Sequence, residues 1–177
     1  MKHFFTFLLA VSLFFSCDDG DIIVTSFDFE EIALEQCGDV GEYIFYKINN
    51  VNLETLSLRL RTQDSILSEE GNWTYTIDES NNTVNYRTFD QEVPEIYFCS
   101  FIPPTTPTIE RDYFSTQGTL LVTSQITETI LPDEGTEQDT TYVLSTSLDF
   151  VNLRLVSSGE GLTEESLDMG TVENTID

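Results

Sequence analysis

Leu56, Leu58 and Leu60 alternate with Ser57, Arg59 and Arg61, and a period of two marks a strand with one buried and one wetted face. The same pattern returns at Trp73, Tyr75 and Ile77, set against Thr74 and Thr76. Further strands are expected over residues 22–29, 43–48, 83–87 and 95–102, with turn chemistry at Asn49-Asn50, Glu69-Glu70-Gly71-Asn72 and Glu79-Ser80-Asn81-Asn82. The last of these turns predicts a hairpin that pairs 73–77 with 83–87 and points Val84 and Tyr86 inward. Pro103, Pro104 and Pro107 end the 95–102 segment and make a stiff crossover between sheets.

The final third predicts a long hairpin, running up over 120–131 and back over 140–156. Tyr142, Leu144, Leu148 and Phe150 share one parity, whereas Val151, Leu153 and Leu155 take the other. A β-bulge or bend near Phe150 reconciles them. Helical signals are confined to a weak acidic stretch at 28–35 and a turn at 162–169, and residues 158–177 read as a polar, irregular C-terminal tail. Seven or eight short strands separated by turns predict an all-β chain, a β-sandwich of immunoglobulin-like or related Greek-key type over 22–157, with a β-barrel as the alternative.

At the front, Met1-Lys2-His3 precedes an apolar run from Phe4 to Phe15 that is too short to span a bilayer as a helix. It reads as a secretory signal peptide over 1–16. The string Leu13-Phe14-Phe15-Ser16-Cys17 resembles the lipobox of bacterial lipoprotein precursors. The resemblance implies cleavage before Cys17, acylation of that residue, and a firm membrane tether once two or more chains are attached. Asp18, Asp19 and Asp21, in the acidic tether 17–21, resemble the signal that sends outer-membrane lipoproteins of Bacteroidota to the cell surface. The implied location is the outer membrane, facing the exterior, with the periplasmic face as the alternative.

Beyond residue 16 the chain carries six basic side chains, Lys47, Arg59, Arg61, Arg87, Arg111 and Arg154, against 32 acidic ones. Such a balance repels polyanions and argues against nucleic acid as a partner. Two further cysteines, Cys37 and Cys99, sit in an oxidising compartment and are expected to form a disulfide. No histidine follows His3, so the usual thiolate and imidazole metal set is incomplete and the commonest general base is missing. No nucleophile elbow or phosphate-binding glycine loop occurs either.

The expectation is therefore a protein without enzymatic activity or cofactor. Calcium is the metal most compatible with the composition, with Asp133, Glu134, Glu137 and Asp139 as candidate ligands in the hairpin tip. Trp73, Tyr75 and Tyr86 are candidate binding aromatics if they form an exposed strip. The favoured function is a lipid-anchored structural or protein-interaction module with an envelope protein partner. Its alternatives are a carbohydrate-binding accessory lipoprotein of a nutrient-uptake system and an acid-pair glycoside hydrolase.

Overall fold

The computed structural model describes residues 29–102, 104–131 and 140–177. These form an all-β body of eight antiparallel strands: β1 (Glu35–Asp39), β2 (Glu42–Asn49), β3 (Glu54–Leu60), β4 (Gly71–Ile77), β5 (Thr83–Phe89), β6 (Ile109–Ile130), β7 (Thr141–Ser157) and β8 (Glu160–Ile176). They lie in one sheet in the order β1-β2-β3-β5-β6-β7-β8, with β4 joined to β6 beside that path. The sheet curls over itself and stays open, a half-barrel whose walls pack as in a β-sandwich and do not close into a barrel.

The first three strands form a meander because their turns satisfy their own backbone. Gly41 takes φ +114°, which a side chain would oppose. At the next turn the Asn49 Oδ1 accepts the amides of Val51 (3.1 Å) and Asn52 (3.2 Å). Leu56, Leu58 and Leu60 are fully buried, as their alternation predicts, and Phe45 of β2 joins them. Leu120 and Val122 of β6 and Leu148 and Phe150 of β7 supply the facing wall of the same core.

β6 is the spine. One edge pairs with β7 along nearly its whole length, while the other serves two strands in turn: β5 against Ile109–Phe114 and β4 against Gly118–Ser124. The expected β4–β5 hairpin therefore does not form. Its turn exists, with the Asp78 carboxylate accepting the amides of Ser80 and Asn81, both at 2.7 Å. Those amides hold the Asp78 carboxyl down at about 2. The two strands leave that turn end to end along β6 instead of side by side. Ser115 fills the break: its buried hydroxyl accepts the Val84 amide at 2.9 Å and donates to the Asp78 carbonyl at 3.1 Å.

The phase change predicted near Phe150 is a β-bulge. Thr119 pairs with Val151 and Gln117 with Arg154, so Gly118 stands opposite both Asn152 and Leu153. Asn152 takes φ +52°, and inward residues switch from Leu148 and Phe150 to Leu153 and Leu155. A Cβ on Gly118 would lie 3.3 Å from the Leu153 Cα.

Two expected elements differ. Residues 160–176 of the supposed tail form β8, paired with β7 from Ser157–Glu160 to Tyr142–Ile176. Its apolar residues Leu162, Leu167, Met169 and Val172 keep no single period, because β8 follows the β7 phase change and carries a second bulge at Met169. Residues 95–102 are not a strand. They begin as a single 3-10 turn, Glu95–Tyr97, and continue as loop. Tyr97 and Phe98, adjacent and so of opposite parity, cover the outside of the sheet. The expected strand at 22–29 falls outside the described residues except for Phe29, which is buried in the core.

Asn tolerates the left-handed region, and a β-branched residue does not. Asn152→Val is expected to lower unfolding free energy in urea by about 1–2 kcal/mol, while Asn152→Gly leaves it within a few tenths. Equal midpoints for the two variants would show that the bulge does not require that backbone conformation.

Candidate interaction site

Outside the main core, β2 presents Ile44, Tyr46 and Ile48 to the outer face, where a polar solvent-facing row would be ordinary. The segment between β5 and β6 folds back to cover them. Phe89, Val93 and Tyr97 form a second small core with Ile48 and Phe98 packed against it. The Phe98 ring stacks on Tyr46 at a centroid distance of 4.9 Å, and Tyr97 meets Phe89 edge-on at 5.5 Å.

Three fixings hold this segment. Cys37 of β1 and Cys99 form the expected disulfide, with Cα atoms 6.0 Å apart. Asn50 donates to the Val93 carbonyl at 3.2 Å and accepts the Val93 amide at 2.8 Å, imitating one rung of a ladder. At the base, Asp90 donates its amide to the Thr108 carbonyl at 3.1 Å and accepts the Thr108 amide at 2.8 Å. Pro94, Pro104 and Pro107 stiffen it further, and the Thr106–Pro107 bond is cis.

What the fixings present to water is unusual for so acidic a chain. From Ile96 to Ile109 there is no charged residue. Phe101 is 101% exposed, Ile102 78% and Ile96 62%. Isolated exposed hydrophobics are ordinary; several on one uncharged segment make it a candidate contact surface.

The segment also divides the outer face into two grooves of opposite character. One, of about 380 Å³, is bordered by Glu31, Glu35 and Glu95 around Tyr46 and Ile48. Burial, and then Glu35 and Glu95, raise the Tyr46 phenol above its ordinary range. The other, of about 240 Å³, has Arg59 and Arg87 at its border.

The residues singled out from sequence fare unevenly. Tyr86 is on the inner face and 1% exposed, with its hydroxyl donating to Glu54 at 2.7 Å, so it offers no face to a ligand. Burial and that hydrogen bond both raise its phenol. Trp73 and Tyr75 lie half-buried against the main core, and the Tyr75 hydroxyl donates to Asp64 at 2.8 Å. The three rings do not make an exposed strip, because β4 and β5 do not pair. Cys17, Asp18, Asp19 and Asp21 lie outside the described residues, as do Asp133, Glu134, Glu137 and Asp139. Among the described residues no three of His, Cys, Asp and Glu gather closely enough to hold a metal ion. Arg59, Arg87 and the exposed loop residues were not singled out from sequence. The uncharged run from Ile96 to Ile109, in a chain 22% charged, was the legible signal for the loop.

No family model, curated protein or solved structure matches this chain.

Removing the disulfide with Cys37→Ser and Cys99→Ser is expected to cost about 2–5 kcal/mol in urea unfolding. It should also speed hydrogen exchange at Tyr97 and Ser100, whose amides bond to Pro94 and Ile96, while β3 and β6 stay protected. Unchanged exchange at those two amides would mean that the small core alone fixes the segment.

Proposed function

We propose that this protein is a lipid-anchored interaction module of the outer membrane. In this reading, acyl chains on Cys17 hold it to the bilayer, Asp18, Asp19 and Asp21 direct it to the outer face, and the clipped β5–β6 segment binds an envelope protein partner. One observation carries the binding part: Phe101 and Ile102 stand exposed on an uncharged segment of a chain of net charge −25. Burying such a side chain at an interface contributes about 1.5–3 kcal/mol. A segment already fixed by a disulfide and prolines loses little conformational freedom on binding.

The glycan-binding alternative loses the aromatic strip on which it rested, since Tyr86 is buried and Trp73 and Tyr75 pack against the core. Tyr86 cannot belong to such a platform, which leaves the half-buried Trp73 and Tyr75 as its rings.

Full-length protein extracted from native membranes in mild detergent is expected to retain a stoichiometric protein partner. Phe101→Asp with Ile102→Asp should reduce that partner by about tenfold or more, with little change in melting temperature because both side chains are exposed. In the same cells, labelled palmitate should enter the wild type and not Cys17→Ser. Undiminished partner recovery from the double variant defeats the loop assignment, and unlabelled wild type defeats the anchor.

A further inference from the structure

We propose that the arginine-bordered groove on the outer face of β3 and β5 binds the carboxylate of an acidic sugar, a uronic-acid unit of a polysaccharide. The site follows from strand register. Arg59 pairs with Thr83, Ser57 with Asn85 and Thr55 with Arg87, so the two arginines stand at opposite ends of a floor made by Ser57, Thr83 and Asn85. Phe98 of the clipped segment forms a wall. Its ring stacks on Tyr46 and makes a T-shaped contact with Tyr97 at 5.2 Å, and what it turns to the groove is apolar surface of the kind that packs against the C–H side of a sugar ring.

The charges are arranged unequally. Arg87 is held in a bidentate pair: its Nε and Nη2 each reach Asp112 at 3.0 Å, and Asn85 donates to the same carboxylate at 3.3 Å. Arg59 is not. Its nearest anion is Glu42, whose Oε2 is taken by Arg61 at 2.9 Å and whose Oε1 lies 3.6 Å from the Arg59 Nε. Two arginines therefore share one carboxylate, and the half-exposed guanidinium of Arg59 keeps its terminal fork for a ligand. A planar fork of N–H donors matches a carboxylate in bidentate fashion.

Beside it, the hydroxyls of Ser57 and Thr83 have no side-chain hydrogen-bond partner among the described residues. Each offers a donor and an acceptor to sugar hydroxyls. The groove, at about 240 Å³, suits a small ring and not a folded partner.

The net charge of −25 limits the ligand as well. A densely charged polyanion would be repelled by the whole body, but fields from exposed charges are screened beyond roughly 8 Å at physiological ionic strength. A sparsely charged, hydroxyl-rich ligand feels mainly the guanidinium it touches. The neighbouring groove, bordered by Glu31, Glu35 and Glu95, has the opposite preference, so the two sides of one segment select opposite charges. This site is independent of the partner contact at Phe101 and Ile102.

The test is calorimetric titration of the full-length protein in detergent with an aldotriouronic acid, which carries one uronic-acid unit on two neutral sugars, with its uncharged methyl ester, and with triglycine as a peptide carboxylate. The acid is expected to bind at least about tenfold more tightly than the ester or the peptide. Arg59→Ala should weaken it by a similar factor, with Arg59→Lys intermediate. Ser57→Ala with Thr83→Ala should weaken the acid by a few fold, and the remote Arg154→Ala should leave it unchanged. Equal binding of acid and ester, an Arg59→Ala variant that binds as the wild type does, or no heat with the acid at millimolar concentration would each overturn the proposal. Triglycine binding as tightly as the acid would reassign the groove to peptide carboxylates.

Discussion

The edge of β6 that faces β4 and β5 is the constraint on which the rest of the molecule depends. A strand edge offers one row of donors and acceptors, and here the row is divided: Ile109–Phe114 serves β5 and Gly118–Ser124 serves β4. At the division Ser115 supplies by its side chain the bonds that the backbone ladder omits, and Gly118 stands opposite two residues of β7. Sheets bend where an extra residue enters one strand. The bend brings the walls carrying Leu58 and Phe45 over those carrying Leu120 and Phe150, and the core follows.

A curled sheet with one shared core has an outer face that must be wet or covered. On β3 and β5 it is wet, with Ser57, Arg59, Thr83 and Asn85. On β2 it is apolar, and the long connection between β5 and β6 is committed to covering it. A connection of this length without strands or extended helix is uncommon in a small domain unless something else holds it. The Cys37–Cys99 disulfide, the Asn50–Val93 pair and the Asp90–Thr108 pair do so. Covering the β2 face leaves Phe101 and Ile102 outside the contact and creates a groove on each side of it.

Much of this was legible because burial on one face enforces a period of two. The strands around Leu58 and Tyr75 and the phase change at Phe150 were read from that period, and the cysteine pairing from compartment and count. Partner choice was not legible. The Asp78–Asn82 turn looks like a hairpin locally, and only the distant β6 edge makes its flanking strands run end to end. Residues 95–102 are apolar at both parities, a pattern that a strand covered on two faces would share, and its cause here is a small core packed on the outside of another strand. β8 was missed because its two changes of phase spread Leu162, Leu167, Met169 and Val172 over no recognisable repeat. The arginine groove could not be read at all: Arg59 and Arg87 become neighbours across a floor only through the β3–β5 register.

The divided edge of β6 is tested most directly by nuclear Overhauser spectroscopy of isotope-labelled protein, reading backbone contacts between strands. Antiparallel contacts are expected between Tyr75 and Leu120 and between Tyr86 and Tyr113, the paired residues of β4–β6 and β5–β6. Backbone contacts joining 73–77 directly to 83–87, with none from 73–77 to β6, would mean that the two strands form a hairpin and that the curl has another origin.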